Sequence, residues 1–314
     1  MSDGITPREF VDLAMKELLC SENKEVSTGG ILHLCSLGKE ASSIICSRLS
    51  QLNHLDDDNW YVVKNSVETL GLIRDPASSR TIVQLLRNEK TPRDLEMNDT
   101  IIRALIRISD PNGLKALIMA TEGPLSRGAL EGFEDRFVRI FEEVPSAETR
   151  RKVPSSLLGL LSKDHEKDLR IKILKLISVM HDPGSFDDLL DLLRDSEPVI
   201  RREVVRMIFQ RRAGEYSVHL RKALKDRDEE VQALAMYGLL LSDRKIEMSD
   251  ISDFVVRISS MDHRRPAVRE AESLLASYIM RFSEEAEPVL REMIENNERG
   301  PRELAEKLLE KIGR

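Results

Sequence analysis

The chain has 314 residues, of which 33% are charged and 41% hydrophobic, with only 15 Gly, 12 Pro and 4% aromatics; this balance favours long amphipathic helices over a disordered chain. Its net charge of −7, from 48 basic and 55 acidic residues, works against indiscriminate attachment of the whole surface to polyanions. No apolar run approaches the roughly 18 residues that a membrane span requires, and Met1 to Phe10 lacks a basic stretch followed by an apolar one, so a cytoplasmic location without a membrane partner is expected.

In chain order, a first helix is expected near Pro7 to Leu19, followed by a junction at Leu37-Gly38-Lys39. Trp60 to Ile73 reads as a helix that ends at Asp75-Pro76, and Ser78 to Leu86 as the helix that returns. The dipeptide recurs at Asp110-Pro111 and at Asp182-Pro183, separations of 35 and 72 residues, the second being two repeats of 36. The missing middle copy falls at Val144-Pro145-Ser146-Ala147, which keeps the proline. An Asp carboxylate can cap free N–H groups at a helix start, and Pro fits the first turn because its missing N–H costs nothing there. Each Asp-Pro therefore opens the second helix of a pair.

Further on, Leu169 to Met180 and Phe186 to Leu193 read as another first and second helix, with weaker junctions at Ala213-Gly214-Glu215, Ser242-Asp243 and Phe282-Ser283-Glu284. A last helix is expected near Pro301 to Ile312. Two stretches, Asn88 to Asp99 and Glu122 to Gly132, interrupt the pattern and read as longer connections. A single helix pair cannot enclose its apolar side, so neighbours must stack; the expectation is about eight pairs in one array over residues 1–314, without a domain boundary.

The Asp-Pro turns, together with an acidic residue six positions before a basic one (Asp58 and Lys64, Asp164 and Arg170, Asp195 and Arg201), resemble the HEAT-repeat family. The resemblance spans roughly residues 55–300. It implies an all-α, right-handed α-α superhelix, a HEAT-like solenoid, in which these acids and bases form a structural ladder between adjacent repeats. It also implies that second helices line a concave groove. The sequence departs from the family pattern where Gln232 stands at the arginine position and where Arg103 falls out of register. HEAT arrays serve many tasks, so the resemblance speaks to fold more than to function.

Residues 199–225 hold Arg201, Arg202, Arg206, Arg211, Arg212, Arg221, Lys222 and Lys225 against only Glu203 and Glu215, a local net charge of +6. At 100° per residue, Ile200, Val204 and Ile208 share one face and Arg202, Arg206 and Gln210 the opposite one. Arg201 falls beside the apolar face, where a ladder arginine belongs, while Arg202 and Arg206 are expected to be free to meet an acidic partner. Arg202, Arg206, Arg211, Arg212, Arg221, Lys222 and Lys225 are thus the candidate binding residues, against the plainer reading of a solvated helix face. Asp187, Asp188 and Asp191 would share the groove beside them, which suits a partner of mixed charge.

Catalytic readings find little support. HEAT-like iron hydroxylases of deoxyhypusine ligate metal through several His-Glu pairs, and this sequence has only His165-Glu166. For a HEAT-like DNA glycosylase, Trp60 with Asp56, Asp57 and Asp58 is the one similar cluster, and three adjacent acids repel DNA. Cys20, His33, Cys35, Cys46 and His54 match no zinc-finger spacing, and reduced, packed cysteines are the simpler expectation. No phosphate-binding glycine loop, zincin pair or nucleophile elbow is present. The sequence therefore predicts a non-catalytic scaffold or adaptor that needs no cofactor or metal and binds a protein partner on its groove, with a nucleic-acid partner as the alternative and an enzyme lacking a recognisable motif as a second one.

Overall fold

The computed structural model describes residues 5–52, 59–87, 95–120, 133–144, 146–162, 165–180, 186–212, 215–242, 246–296 and 299–313. Among them are 18 α-helices and no strand. They fall into two compact units, residues 1–185 and 186–314.

In the first unit, α1 (Pro7–Glu17) opens with a capping box, in which Glu9 N–H donates to Thr6 Oγ1 at 3.3 Å and Thr6 N–H to Glu9 Oε2 at 2.9 Å. It is followed by α2 (Lys24–Ser36) and α3 (Lys39–Leu49), joined through Gly38 at φ +60°, a left-handed turn suited to glycine. Next come α4 (Trp60–Ile73), α5 (Ser79–Arg87), α6 (Leu95–Ile108), α7 (Pro111–Met119), α8 (Phe133–Glu143), α9 (Ala147–Gly159) and α10 (Lys167–Val179).

The expected Asp-Pro chemistry is present in both described copies. Asp75 accepts from the N–H of Ala77 at 3.3 Å, and Asp110 from that of Gly113 at 2.8 Å. Where the sequence lacks the Asp, Ser146 does the capping, accepting from Thr149 N–H at 3.3 Å. Asp182 and Pro183 lie outside the described residues. The residue before each described Asp-Pro is left-handed, Arg74 at φ 60° and Ser109 at φ 58°, so the first helix ends one residue ahead of the next cap.

First helices stack on first helices: α4 lies against α6 with Gly71 so close that an added Cβ would sit 2.7 Å from Ala104 Cα. Leu70, Ile101, Ile102 and Leu105 are fully or almost fully buried in this unit, as the 3.6-residue spacing requires. The stretch read as an irregular connection, Asn88 to Asp99, is helical from Leu95 onward because Met97, Ile101 and Ile102 carry the apolar face of α6 back that far; residues 88–94 and 121–132 are outside the described set.

The second unit comprises α11 (Phe186–Leu189), α12 (Pro198–Arg212), α13 (Ser217–Ala223), α14 (Glu229–Leu241), α15 (Met248–Ser260), α16 (Pro266–Arg281), α17 (Ser283–Asn296) and α18 (Arg299–Ile312). Here α12 packs on α14 and α14 on α16. The continuous helix expected from Phe186 to Leu193 is instead a single α-turn followed by a 3₁₀ turn from Leu190 to Arg194. Only Leu189 of its leucines is fully buried, so the segment lacks the apolar stripe that holds a longer helix in place.

Candidate interaction surface

The residues Arg201 to Arg206 ride on α12, and their surroundings decide which cations remain available. Arg201, with a side chain 4% exposed, donates through Nε and Nη2 to both carboxylate oxygens of Asp226, each at 2.7 Å. Its Nη1 donates to the backbone carbonyls of Asp195 at 2.7 Å and Ser196 at 3.2 Å. The two-pronged fit to Asp226 holds the guanidinium pKa above its ordinary value. Asp195 thus meets Arg201 through its carbonyl, and the carboxylate that clasps the arginine comes from the loop before α14.

The same loop corrects the expectation that Arg202 is free. Arg202 reaches Asp228 with two hydrogen bonds of 3.1 Å and also pairs with Glu230. Asp228 is the N-cap of α14, accepting from Glu230 and Val231 N–H at 3.1 Å each, and Glu230 lies in the first turn. Burial alone would raise the Asp228 pKa, but Arg202 and these N–H groups outweigh it and hold the carboxyl below its usual range. Arg206 is exposed and pairs along its own helix with Glu203 at 2.9 Å. The side chains of Arg211 and Arg212 lie outside the described residues, although both close α12.

On α13, Arg221 donates to Asp250 of α15 at 2.6 Å, which raises its pKa. Lys222 and Lys225 are exposed and have no ion-pair partner among the described residues. Tyr216, just ahead of α13, donates to Asp187 of α11 at 2.8 Å, so α11, α13 and α15 are tied side by side by these two contacts. Asp188 is exposed on α11 and Asp191 on the 3₁₀ turn that follows it, and Asp253 borders solvent on α15 while pairing with Arg257 at 2.7 Å. Exposed acids on α11 and the turn after it thus adjoin the bases of α13, while α15 contributes the acids of the Arg221–Asp250 and Arg257–Asp253 pairs.

The remaining ladder positions are scattered. Lys64 pairs with Glu96 of α6 and lies 5.0 Å over the Trp60 ring; its expected partner Asp58 is outside the described residues. Arg170 is buried and donates to the carbonyl of Leu161 at 2.9 Å, while Asp164 is likewise not described. Gln232, at the arginine position of its repeat, donates to the carbonyl of Asp226 at 2.6 Å, and so reproduces one half of what Arg201 does. Arg103, out of register in the sequence, pairs with Glu143 of α8 at 2.9 Å.

Sequence reading missed Asp226, Asp228, Glu230 and Asp250, which hold the ladder residue Arg201 and absorb two of the candidate cations, Arg202 and Arg221. The detectable signal was the N-cap pattern Asp228-Glu229-Glu230 ahead of an apolar run. The three cysteines are free and half-buried, and burial pushes the thiols of Cys35 and Cys46 up. Among the described residues no group of three or more His, Cys, Asp or Glu is placed to hold a metal ion, and no helix is long and apolar enough to cross a membrane.

Several solved structures resemble the chain at low identity. Human deoxyhypusine hydroxylase, solved with glycerol, is 18% identical, with 98% of this chain and 97% of that one covered and a TM-score of 0.32. A chain from a structure of Kap95p with RanGDP is 14% identical over 98% of this chain and 45% of that one, with a TM-score of 0.40. A chain of the CpcE–CpcF complex of phycocyanin lyase from a Nostoc species is 12% identical, over 99% and 96%, with a TM-score of 0.28. No curated protein matches the sequence significantly. The family model described as HEAT repeats matches residues 154–240, the stretch from α9 to α14 that carries Arg170, Arg201 and Gln232, and the chain carries HEAT repeats there.

Proposed function

We propose that this protein is a non-catalytic scaffold or adaptor whose second unit docks a protein partner on the mixed-charge surface of α11, α13 and α15. The observation that carries this reading is the pair Lys222 and Lys225, exposed and without an ion-pair partner among the described residues, on the segment that Tyr216 ties to Asp187 of α11 and Arg221 ties to Asp250 of α15. Arg221 joins them from a 46% exposed position while holding Asp250. A rigid helical frame with side chains fixed by packing lets several modest contacts add with little ordering cost. Specificity would come from the order of charges, since a partner with the wrong pattern meets like charge.

Affinity capture from the native host tests this, with the wild-type chain beside the K222E/K225E variant. The proposal expects a partner retained by the wild type in moderate salt and lost by the variant; equal retention by both refutes it. The nucleic-acid alternative is weakened by the pairing of Arg201, Arg202 and Arg221 with protein carboxylates, which leaves few cations to follow a phosphate backbone. Fluorescence anisotropy with labelled duplex at low salt separates the two readings: steeply salt-dependent binding lost in K222E/K225E would favour nucleic acid.

A further inference from the structure

Three arginines of the first unit lie together at the ends of α4 and α6. Arg103 and Arg107 are one turn apart on α6, and Arg74 follows the last residue of α4. The two helices meet at Gly71 and Ala104, so Arg74 and Arg107 stand three residues beyond the tightest contact on each side. Arg107 is half-buried, yet its guanidinium makes no hydrogen bond or ion pair among the described residues. Burial pushes its pKa down, and Arg103 and Arg74 are close enough to add to that, against Glu68 and Cys35. Five N–H donors partly withdrawn from water without an acceptor are an unusual expense, and helix-end charge complementarity accounts for only part of it.

We propose that Arg74, Arg103 and Arg107 form a receptor for a phosphoryl group at the C-terminal ends of α4 and α6. The two outer arginines have partners they can release. Glu143 is shared by Arg103 at 2.9 Å and Arg139 at 3.4 Å, and Glu148 by Arg74 at 3.5 Å and Lys152 at 2.6 Å. Each carboxylate therefore keeps a cation when its arginine turns to a ligand. A phosphate monoester dianion offers three oxygens to three forks, whereas a single carboxylate satisfies one. Glu68 is the opposing charge that such a ligand must tolerate, and it sets the direction of a decisive control. The ligand's source is either free phosphate or a phosphorylated side chain, which share this chemistry.

The test titrates the full chain with inorganic phosphate, and separately with N-acetyl phosphoserine methylamide, at constant ionic strength, following the ¹⁵N-detected arginine Nε–H signals. Saturable binding in the millimolar range is expected, tightening from pH 5.5 to 7.5 as the second proton of the phosphoserine probe, of pKa about 6, leaves, and at higher pH for inorganic phosphate. Arg107→Gln should weaken it about tenfold and Glu68→Gln should tighten it about threefold, opposite responses that a general loss of folding cannot produce. Equal affinity for both probes assigns the site to free phosphate, and preference for the phosphoserine probe assigns it to a modified chain. Absence of saturable binding by the wild type with both probes overturns the proposal, as does an unchanged affinity in Arg107→Gln.

Discussion

Removing the Asp226 carboxylate isolates the contact that joins α12 to the loop before α14. In Asp226→Ala, Arg201 loses two charged hydrogen bonds of 2.7 Å while its side chain stays 4% exposed. Breaking one partner of a buried pair costs about 3–5 kcal/mol, and the bonds from Nη1 to the carbonyls of Asp195 and Ser196 survive, so the lower end, about 3 kcal/mol, is expected. The carboxylate also accepts from Asp228 N–H at 2.8 Å, a loss the alanine variant shares. Arg201→Met in the same background should restore part of the loss, because an apolar chain of similar reach carries no stranded charge. Urea unfolding of the four-membered cycle measures this, with a coupling of about 2 kcal/mol expected. A cost below about 1 kcal/mol for Asp226→Ala, or strict additivity of the two changes, would refute the reasoning.

Three further outcomes follow from local geometry. Gly71→Ala should destabilise by about 1–3 kcal/mol, since its Cβ would meet the Ala104 backbone, whereas Gly29→Ala on α2 meets nothing within 4 Å and should gain about 0.5–1 kcal/mol from helix propensity; paired thermal melts read both. Ser109→Gly should raise stability by about 0.5–1 kcal/mol, because a left-handed residue without Cβ avoids a steric cost that exceeds the Ser109 Oγ bond to the Ile106 carbonyl at 2.7 Å. The carboxyls of Asp99 and Asp228 are both held below their ordinary pKa: burial works against this, but Arg136 with Arg139 in one case and Arg202 with backbone N–H groups in the other prevail. Their stabilisation is complete above the unfolded pKa of about 3.9 and is lost as pH falls through the lower folded value, so an acid titration followed by circular dichroism should flatten in Asp99→Asn and Asp228→Asn. Identical acid transitions in wild type and variants would contradict that assignment.

The features legible in the sequence are those whose cause is local. An Asp-Pro cap acts on N–H groups two or three residues away, and a helix face repeats every three or four, so α4 and the start of α7 follow from a short window. The left-handed Arg74 and Ser109 could not be read this way, because neither residue type announces a positive φ; each closes its helix just ahead of an extended Asp cap. Arg202 fails for a different reason. A helical wheel turns it away from its own apolar stripe, but the face it then occupies is covered by Asp228 and Glu230, 26 and 28 residues further on. In a stacked array the environment of an exposed-looking residue is set one repeat away, where a single-helix projection has no information.

The pairings around Gln232 show how far that dependence goes. Arg201 binds both its own preceding loop, through carbonyls, and the following loop, through Asp226. Gln232 keeps the first of these bonds and is too short and uncharged for the second, so the next loop needs another tether. Glu229, on the same helix, provides it: it accepts from Asp262 N–H at 3.3 Å and lies 3.6 Å from Arg265. The charge order is thus reversed between consecutive junctions, cation to anion from α12 and anion to cation from α14. A family pattern that expects arginine at position 232 marks that position as a departure, yet the junction is still closed by polar contacts. The departure changes which residues a mutation would disturb: Asp226 is the sensitive carboxylate at one junction and Glu229 at the next, although Asp262 occupies the place corresponding to Asp226.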